Sequence, residues 1–306
     1  MGLRIIFLGT PEFAVPTLER CVEAGHEVVA VFTQPDRPKG RGQKDAAPPV
    51  KQAALRLGLP VHQPERAKRP EVIEQLRAIA PEAMVVVGYG QILPQAILDI
   101  PPHGIINVHA SLLPKYRGAA PIQWAIARGE THTGVTTMRI DAGMDTGDML
   151  LSWQTPIEPE ETAAELAPRL ATAGADLLVR TLANLDSIVP EKQDATHATY
   201  APILKREDGK IDWNMTAGEI LNRMRGFVPW PGCYGFLRGQ RLHVWKGALS
   251  GEKIAPGGLR VKDQHLYVGC GDGTIEIIEV QIEGKKRMPA AAFLNGFLLD
   301  ETEVLQ

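Results

Sequence analysis

The sequence predicts an α/β chain in two parts: a mostly parallel sheet covered by helices, then a smaller all-β domain, barrel or sandwich. Three observations carry this. A chain of 306 residues has room for about two domains. Through its first half, short runs rich in Ile and Val alternate with segments of helical spacing, the pattern of parallel strands buried on both faces. After Tyr200 the texture changes to short strands broken by glycines.

In chain order, LRIIFLG (Leu3 to Gly9) is the first buried strand, and PEFAVPTLERCVEAG is a helix closed by Gly25. HEVVAVFT is the second strand. PPVKQAALRLG and PEVIEQLRAIA are helices, EAMVVVG (Glu82 to Gly88) is a third strand and HGIINVH a fourth. TGVTTMRI and DMLLSWQTPI alternate in polarity and predict a hairpin-like extension of the sheet. Glu160 to Leu185 is helical in pattern apart from Pro168. APILKREDGKIDW marks a linker and a return to structure. AGEILNRMRGF is a helix, VPWPG a rigid turn, and RLHVWKGAL, GGLRVKD, QHLYVGCGDG and TIEIIEVQIEG are the short strands. These give a first domain over 1–189, a linker over 190–206 and a second domain over 207–306.

Apolar content of 44% and charged content of 23% are those of a globular protein. No apolar run reaches the ~18 residues that span a bilayer. The opening MGLRIIFLGTPEF has neither the layout of a cleaved signal nor a myristoylation site, so a cytoplasmic chain is expected. Cys21, Cys233 and Cys270 are odd in number and scattered, which argues against a disulfide framework and against a zinc site. Asn214-Met215-Thr216 fits a glycosylation sequon, by coincidence in a cytosolic chain. A net charge of −3 excludes a wholly basic nucleic-acid binder, so a polyanionic partner needs a local patch. Pro35 to Lys51 offers one, with Arg37, Lys39, Arg41, Lys44 and Lys51 against two acids; Lys285 to Arg287 is a smaller one.

The polar residues that stand out are Asn107 and His109, two apart in an apolar strand. Residues at that spacing share a face. Both fall at the C-terminal end of a parallel strand, where open α/β sheets hold their ligands. A hydrogen-bonded structural pair is the plainer explanation; the proline- and glycine-broken loop that follows favours a site. An amide donates to a developing oxyanion and an imidazole relays a proton near neutral pH, which suits acyl-type transfer. A carboxylate partner is available from Asp141, Asp145 or Asp148 in DAGMDTGDML, and residue chemistry alone leaves the three open. A calcium loop fails there, because the central glycine and the closing glutamate are out of register. Gly88-Tyr89-Gly90 and Gly9 lack the remaining glycines of a dinucleotide fingerprint, and no P-loop is present, so a nicotinamide or ATP enzyme is disfavoured.

INVHASLLPKYRGAAPIQWAI with DAGMDTGD resembles the signature of the 10-formyltetrahydrofolate-dependent formyltransferases. IIFLGTPEFA, VFTQPDRPKGRGQK, VVVGYGQILP, RGFVPWPG and MPAAAFLNG extend the likeness along essentially the whole chain, toward the members that act on methionyl-tRNA. The resemblance implies a Rossmann-like first domain and an OB-like barrel that supports tRNA binding. It implies Asn107, His109 and Asp145 as the catalytic trio. Ser111, Leu112, Leu113 and Pro114, with Gly88, Tyr89 and Gly90, would contact the folate. Arg37, Lys39, Arg41 and Lys44 would meet the acceptor end of the tRNA, Arg41 foremost, and Phe13 the methionine side chain. It further implies 10-formyltetrahydrofolate as formyl donor with no metal, and initiator methionyl-tRNA as partner in translation initiation. A monomer is expected. Two rivals stand beside it: a formyltransferase acting on an amino sugar or nucleotide-sugar, with no use for the basic loop, and a tRNA-binding protein without catalysis.

Overall fold

A computed structural model of the chain describes residues 2–39, 44–300 and 302–306. Strand β1 (Arg4–Gly9) leads into helix α1 (Val15–Glu23), then β2 (Glu27–Phe32) and a small pair, β3 (Arg37–Lys39) and β4 (Lys44–Ala46). There follow α2 (Pro49–Arg56), β5 (Val61–His62), α3 (Pro70–Ile79), β6 (Ala83–Val87), the short α4 (Gln95–Leu98) and β7 (Ile105–His109). The chain continues through β8 (Arg117–Gly118), α5 (Pro121–Ala127), β9 (His132–Arg139), β10 (Met149–Pro156) and the long α6 (Ala163–Ala183). Proline sits in the first turn of α1, α2 and α3, where its missing N–H has no intrahelical partner to lose. α6 runs through Pro168, which the sequence pattern marks as a break. Pro168 comes two residues after the first intrahelical bond, from the Leu166 N–H to Thr162 O, and the helix passes it with the one bond to Ala164 O missing.

The first sheet has the order β10-β9-β7-β6-β1-β2-β5. β5, β2, β1, β6 and β7 are parallel, and β9 runs antiparallel to β7. Ile5, Ile6, Phe7, Met84, Val85 and Ile106 are fully buried, as strands covered on both faces require. Each such side chain contributes about 1.5–3 kcal/mol by leaving water. The order reverses between β1 and β6, so the strand ends there open a crevice for ligands. The turns after β1, β2, β6 and β7 all emerge at that edge.

The second half carries β11 (Tyr200–Ala201), α7 (Ala217–Gly226), β12 (Cys233–Leu237), β13 (Gln240–Ser250), β14 (Leu259–Lys262), β15 (His265–Gly269), β16 (Thr274–Ile282), β17 (Met288–Pro289) and α8 (Ala290–Gly296). β12-β13-β16-β15-β14 form an antiparallel sheet, with β17 on β16 as its sixth strand. The expected class, a mostly parallel α/β sheet plus a separate small β domain, is the observed one. Strand β12 escapes the sequence pattern because Gly235 interrupts its alternation. α7 opens on a capping box: Thr216 Oγ1 accepts from the Glu219 N–H, and the Glu219 carboxylate accepts from the Thr216 N–H at 2.9 Å.

By compactness the chain forms two units, Met1–Pro121 with Thr133–Thr155 and Ala167–Pro202, and Ile122–His132 with Pro156–Leu166 and Ile203–Gln306. Two segments from within the stretch 1–189 therefore cluster with the later residues. Inside that second unit, Trp124 meets Phe227 edge-on at 5.3 Å, and Gly226 lies so close to Gln123 O that a Cβ would sit 2.7 Å from it. No described helix is long and apolar enough to cross a membrane.

Candidate active site

β7 is buried along its length and registers Asn107 beside Val86 of β6 and Met138 of β9, with His109 beside Thr136. Asn107 and His109 share one face and are only 8% and 6% exposed, so each polar group needs a partner. The loop after β7 supplies one. Ser111 Oγ donates to Lys115 O at 2.6 Å, and Thr136 Oγ1 donates to Ser111 O while accepting from the Leu113 N–H. The Leu113–Pro114 bond is cis, and Tyr116 takes a positive φ of 61°. Tyr116 O lies 2.9 Å from His109 Nε2. A carbonyl only accepts, so Nε2 carries the hydrogen and Nδ1 is left as the basic nitrogen.

Asp145 arrives from the loop between β9 and β10. Its Oδ2 lies 3.7 Å from His109 Nδ1, its Oδ1 is 3.5 Å from the Asn107 amide nitrogen, and Oδ2 accepts the Gly118 N–H at 2.8 Å. The first is a charge-neighbour distance, the second a long hydrogen bond and the third a short one. Gly118 stands at φ 119°, with Ala201 O only 2.6 Å from where a Cβ would be, so glycine is required for this approach. The other two aspartates serve the loop itself. Asp141 caps it by accepting from the Gly143 N–H and Thr146 Oγ1, and Asp148 accepts the Arg139 N–H through its carbonyl. Amide, imidazole and carboxylate thus converge at the C-terminal edge of β7, with Tyr116 rather than Asp145 setting the imidazole tautomer.

Beside them, the turn after β6 exposes the backbone of Gly88 and Gly90, while the Tyr89 ring packs into the core with Leu93 and Ile97. Tyr89 is 2% exposed, and burial pushes its hydroxyl up to about 12. Tyr89 O accepts from Thr10 Oγ1 and Gln34 Nε2, both at 3.0 Å, which ties the turns after β1, β2 and β6 together. Half-buried Phe13 sits in the first of those turns, and Pro11 beside it lies against Gly88. A cavity of about 590 Å³, lined by Trp153, Arg169 and Arg180 among others, has none of Asn107, His109 or Asp145 in its wall.

The basic segment forms the β3–β4 hairpin, pairing Arg37 with Ala46 and Lys39 with Lys44 in register. Arg41 lies outside the described residues. Arg37 is 65% exposed and pairs with Glu65 at 3.2 Å. At the hairpin's root Lys51 bonds both oxygens of Asp36 at 2.9 and 2.7 Å, and Gln63 Nε2 donates to Asp36 Oδ1 and Gln34 O. Gln63 first and Lys51 second hold the Asp36 carboxyl below its usual range.

A model of the formyl transferase family matches residues 3–182, and a model of the formyl transferase C-terminal domain matches residues 203–298. The chain belongs to the formyl transferase family. Among curated relatives, the methionyl-tRNA formyltransferase of Solibacter usitatus is 62% identical over 307 residues, covering 99% of this chain and 98% of that protein. That of Koribacter versatilis is 59% identical over 297 residues, covering 96% and 95%. Of solved structures, an N-formyltransferase of Helicobacter canadensis in complex with folinic acid and dTDP-3-aminofucose is similar with a TM-score of 0.67 at 21% identity, over 90% of this chain and 98% of that one. At that identity the likeness is one of fold.

Three residues of this formyl transferase carry no signal in a local sequence pattern. Ile92, in the turn after Gly90, is 91% exposed although large and apolar. Arg117 is 5% exposed, and Gln193 reaches Asp145 across 48 residues of chain. Among the described residues no cluster of three His, Cys, Asp or Glu side chains is placed to hold a metal.

Proposed function

We propose that this chain transfers the formyl group of 10-formyltetrahydrofolate to the α-amino group of methionine on initiator methionyl-tRNA, for translation initiation. The observation that carries the reading is the 62% identity, over nearly the full length of both chains, to a curated methionyl-tRNA formyltransferase. The convergence of an amide, an imidazole and a carboxylate at a sheet edge supports it chemically. An amino-sugar acceptor has only a fold-level likeness at 21% identity in its favour.

In the reaction the free α-amine attacks the formyl carbon, a C–N bond forms, and the formyl oxygen becomes an oxyanion. The Asn107 NH₂ group donates to that oxygen, since its contact to Asp145 is long and leaves donor capacity free. The attacking nitrogen must lose a proton. His109 Nδ1 takes it, because Nε2 is already committed to Tyr116 O. The imidazolium so formed is stabilised by Asp145, whose Oδ2 is 3.7 Å from Nδ1. Collapse of the intermediate breaks the bond to N10 of the folate, which receives the proton from His109 or through an ordered water. Ser111 to Pro114 and the backbone of Gly88 and Gly90 flank this centre and are the folate contacts. Phe13, on the adjoining turn, receives the methionine side chain. Arg37, Lys39, Arg41 and Lys44 approach the tRNA phosphates.

The test is formyl transfer from labelled 10-formyltetrahydrofolate, offered charged initiator tRNA in one arm and nucleotide-linked amino sugars in the other. Label on the aminoacyl-tRNA alone is expected. Label on the sugar alone would overturn the acceptor, and no transfer in either arm would overturn the enzyme reading.

A further inference from the structure

We infer that Gln193 is a positioning residue for Asp145, acting as one unit with the buried Arg117. Asp145 stands at φ 52°, a left-handed backbone conformation that a non-glycine residue seldom adopts unless its surroundings hold it there. Gln193 enforces it. Its Nε2 donates to Asp145 O at 2.9 Å and to Gly147 O at 2.8 Å, which uses both amide hydrogens. Its Oε1 accepts from Arg117 Nε at 3.0 Å and Nη2 at 2.8 Å. A guanidinium has no acceptor, so the amide has one workable orientation and no capacity left over.

Arg117 has no carboxylate partner among the described residues, and burying a guanidinium against a neutral amide alone is costly. Its place in the chain explains the expense. The residue before it gives its carbonyl to His109, and the residue after it gives its N–H to Asp145. Arg117 and Gln193 therefore close a ring: the Asp145 carboxylate is held through Gly118, and the Asp145 backbone through Gln193. The segment that brings Gln193 is itself laced to both loops. Glu191 and Met149 exchange backbone hydrogen bonds at 2.8 and 2.9 Å, Thr199 accepts from the N–H groups of Tyr116 and Arg117, and β11 pairs with β8. The stretch after α6 is thus part of the frame of the catalytic centre as well as the path to the later residues.

A plainer role for Gln193, tying down chain for stability, predicts something different. Gln193→Glu keeps the length and gives Arg117 a better acceptor, but at neutral pH it has no hydrogen to offer the carbonyls of Asp145 and Gly147. Gln193→Leu removes both functions. The experiment measures kcat and KM for formyl transfer to charged initiator tRNA, with thermal melting of each variant. The inference rests on the formyl-transfer reading, so wild-type turnover is the reference. Misplacing a reacting group by an ångström costs about 10²-fold in rate. A kcat lowered by about that factor in both variants is expected, with KM for folate and tRNA unchanged and Gln193→Glu melting like wild type. Wild-type kcat in the well-folded Gln193→Glu chain would overturn the inference alone. Absence of turnover in the wild type would overturn the reading beneath it.

Discussion

The Asp145 loop, after β9, and the β3–β4 hairpin, after β2, are carried by one sheet and are held in opposite ways. Asp145 is 21% exposed, and its carboxylate and its carbonyl are both bonded, to Gly118 and to Gln193. Arg37 of the hairpin is 65% exposed and has one exposed carboxylate, Glu65, as partner. An exposed pair of that kind contributes only ~0–1 kcal/mol and is readily exchanged for a phosphate. The hairpin's fixed point lies at its root, where Lys51 and Gln63 grip Asp36. Lys51 is one of the five basic residues of the segment, and the structure spends it on anchorage. Group transfer needs a preset geometry out of water; grip on a polyanion needs charge within reach.

The largest effect is expected at His109. His109→Ala should lower kcat by about 10²–10⁴-fold with KM for tRNA little changed, since proton transfer is lost and binding is not. Steady-state kinetics on charged tRNA check it, and a KM effect without a kcat effect would place His109 in the binding surface. Arg37→Ala should do the reverse: weaker tRNA use, a salt slope reduced by about 1, and unchanged folate KM. Arg41→Ala is expected to act the same way and more strongly. Loss of folate binding in either variant would make the hairpin a wall of the active site.

The smallest effect concerns the hairpin's root. His62 stacks on Phe32 at 4.8 Å next to Gln63, and burial holds its imidazole below the usual range, as it does for His26 and His243. A histidine whose folded pKa is depressed favours the neutral form in the native state. Its stabilising contribution is full above the unfolded value of about 6.5 and is lost as pH falls through the folded value. The melting temperature should therefore drop by a few degrees between pH 7.5 and 5.5, and His62→Gln should shrink that drop. An equal drop in the variant would remove His62 from the account.

What the sequence made legible follows the range of the interactions. β1, β2, β6 and β7 read directly because burial on both faces writes itself as continuous apolar residues, and Asn107 and His109 stood out against that background. Residue chemistry left Asp141, Asp145 and Asp148 open because the choice depends on a positive φ at Asp145 and an N–H 27 residues away, at Gly118. Family resemblance named Asp145, and Asp145 lies beside His109 and Asn107, at 3.7 and 3.5 Å. Gln193 was beyond local reading altogether, since Arg117 lies 76 residues from it and nothing near 193 is patterned. The grouping of Ile122–His132 with the later residues has the same origin, in contacts such as Trp124 on Phe227.

In the proposed mechanism the buried trio performs the transfer, with the Asn107 amide as the oxyanion donor. Asn107→Ala tests it most directly, in single-turnover formyl transfer to charged initiator tRNA with both substrates saturating. A rate lower by about 10²–10³-fold is expected, with the chain still folded and still binding tRNA and folate. A rate within a few-fold of wild type would contradict it.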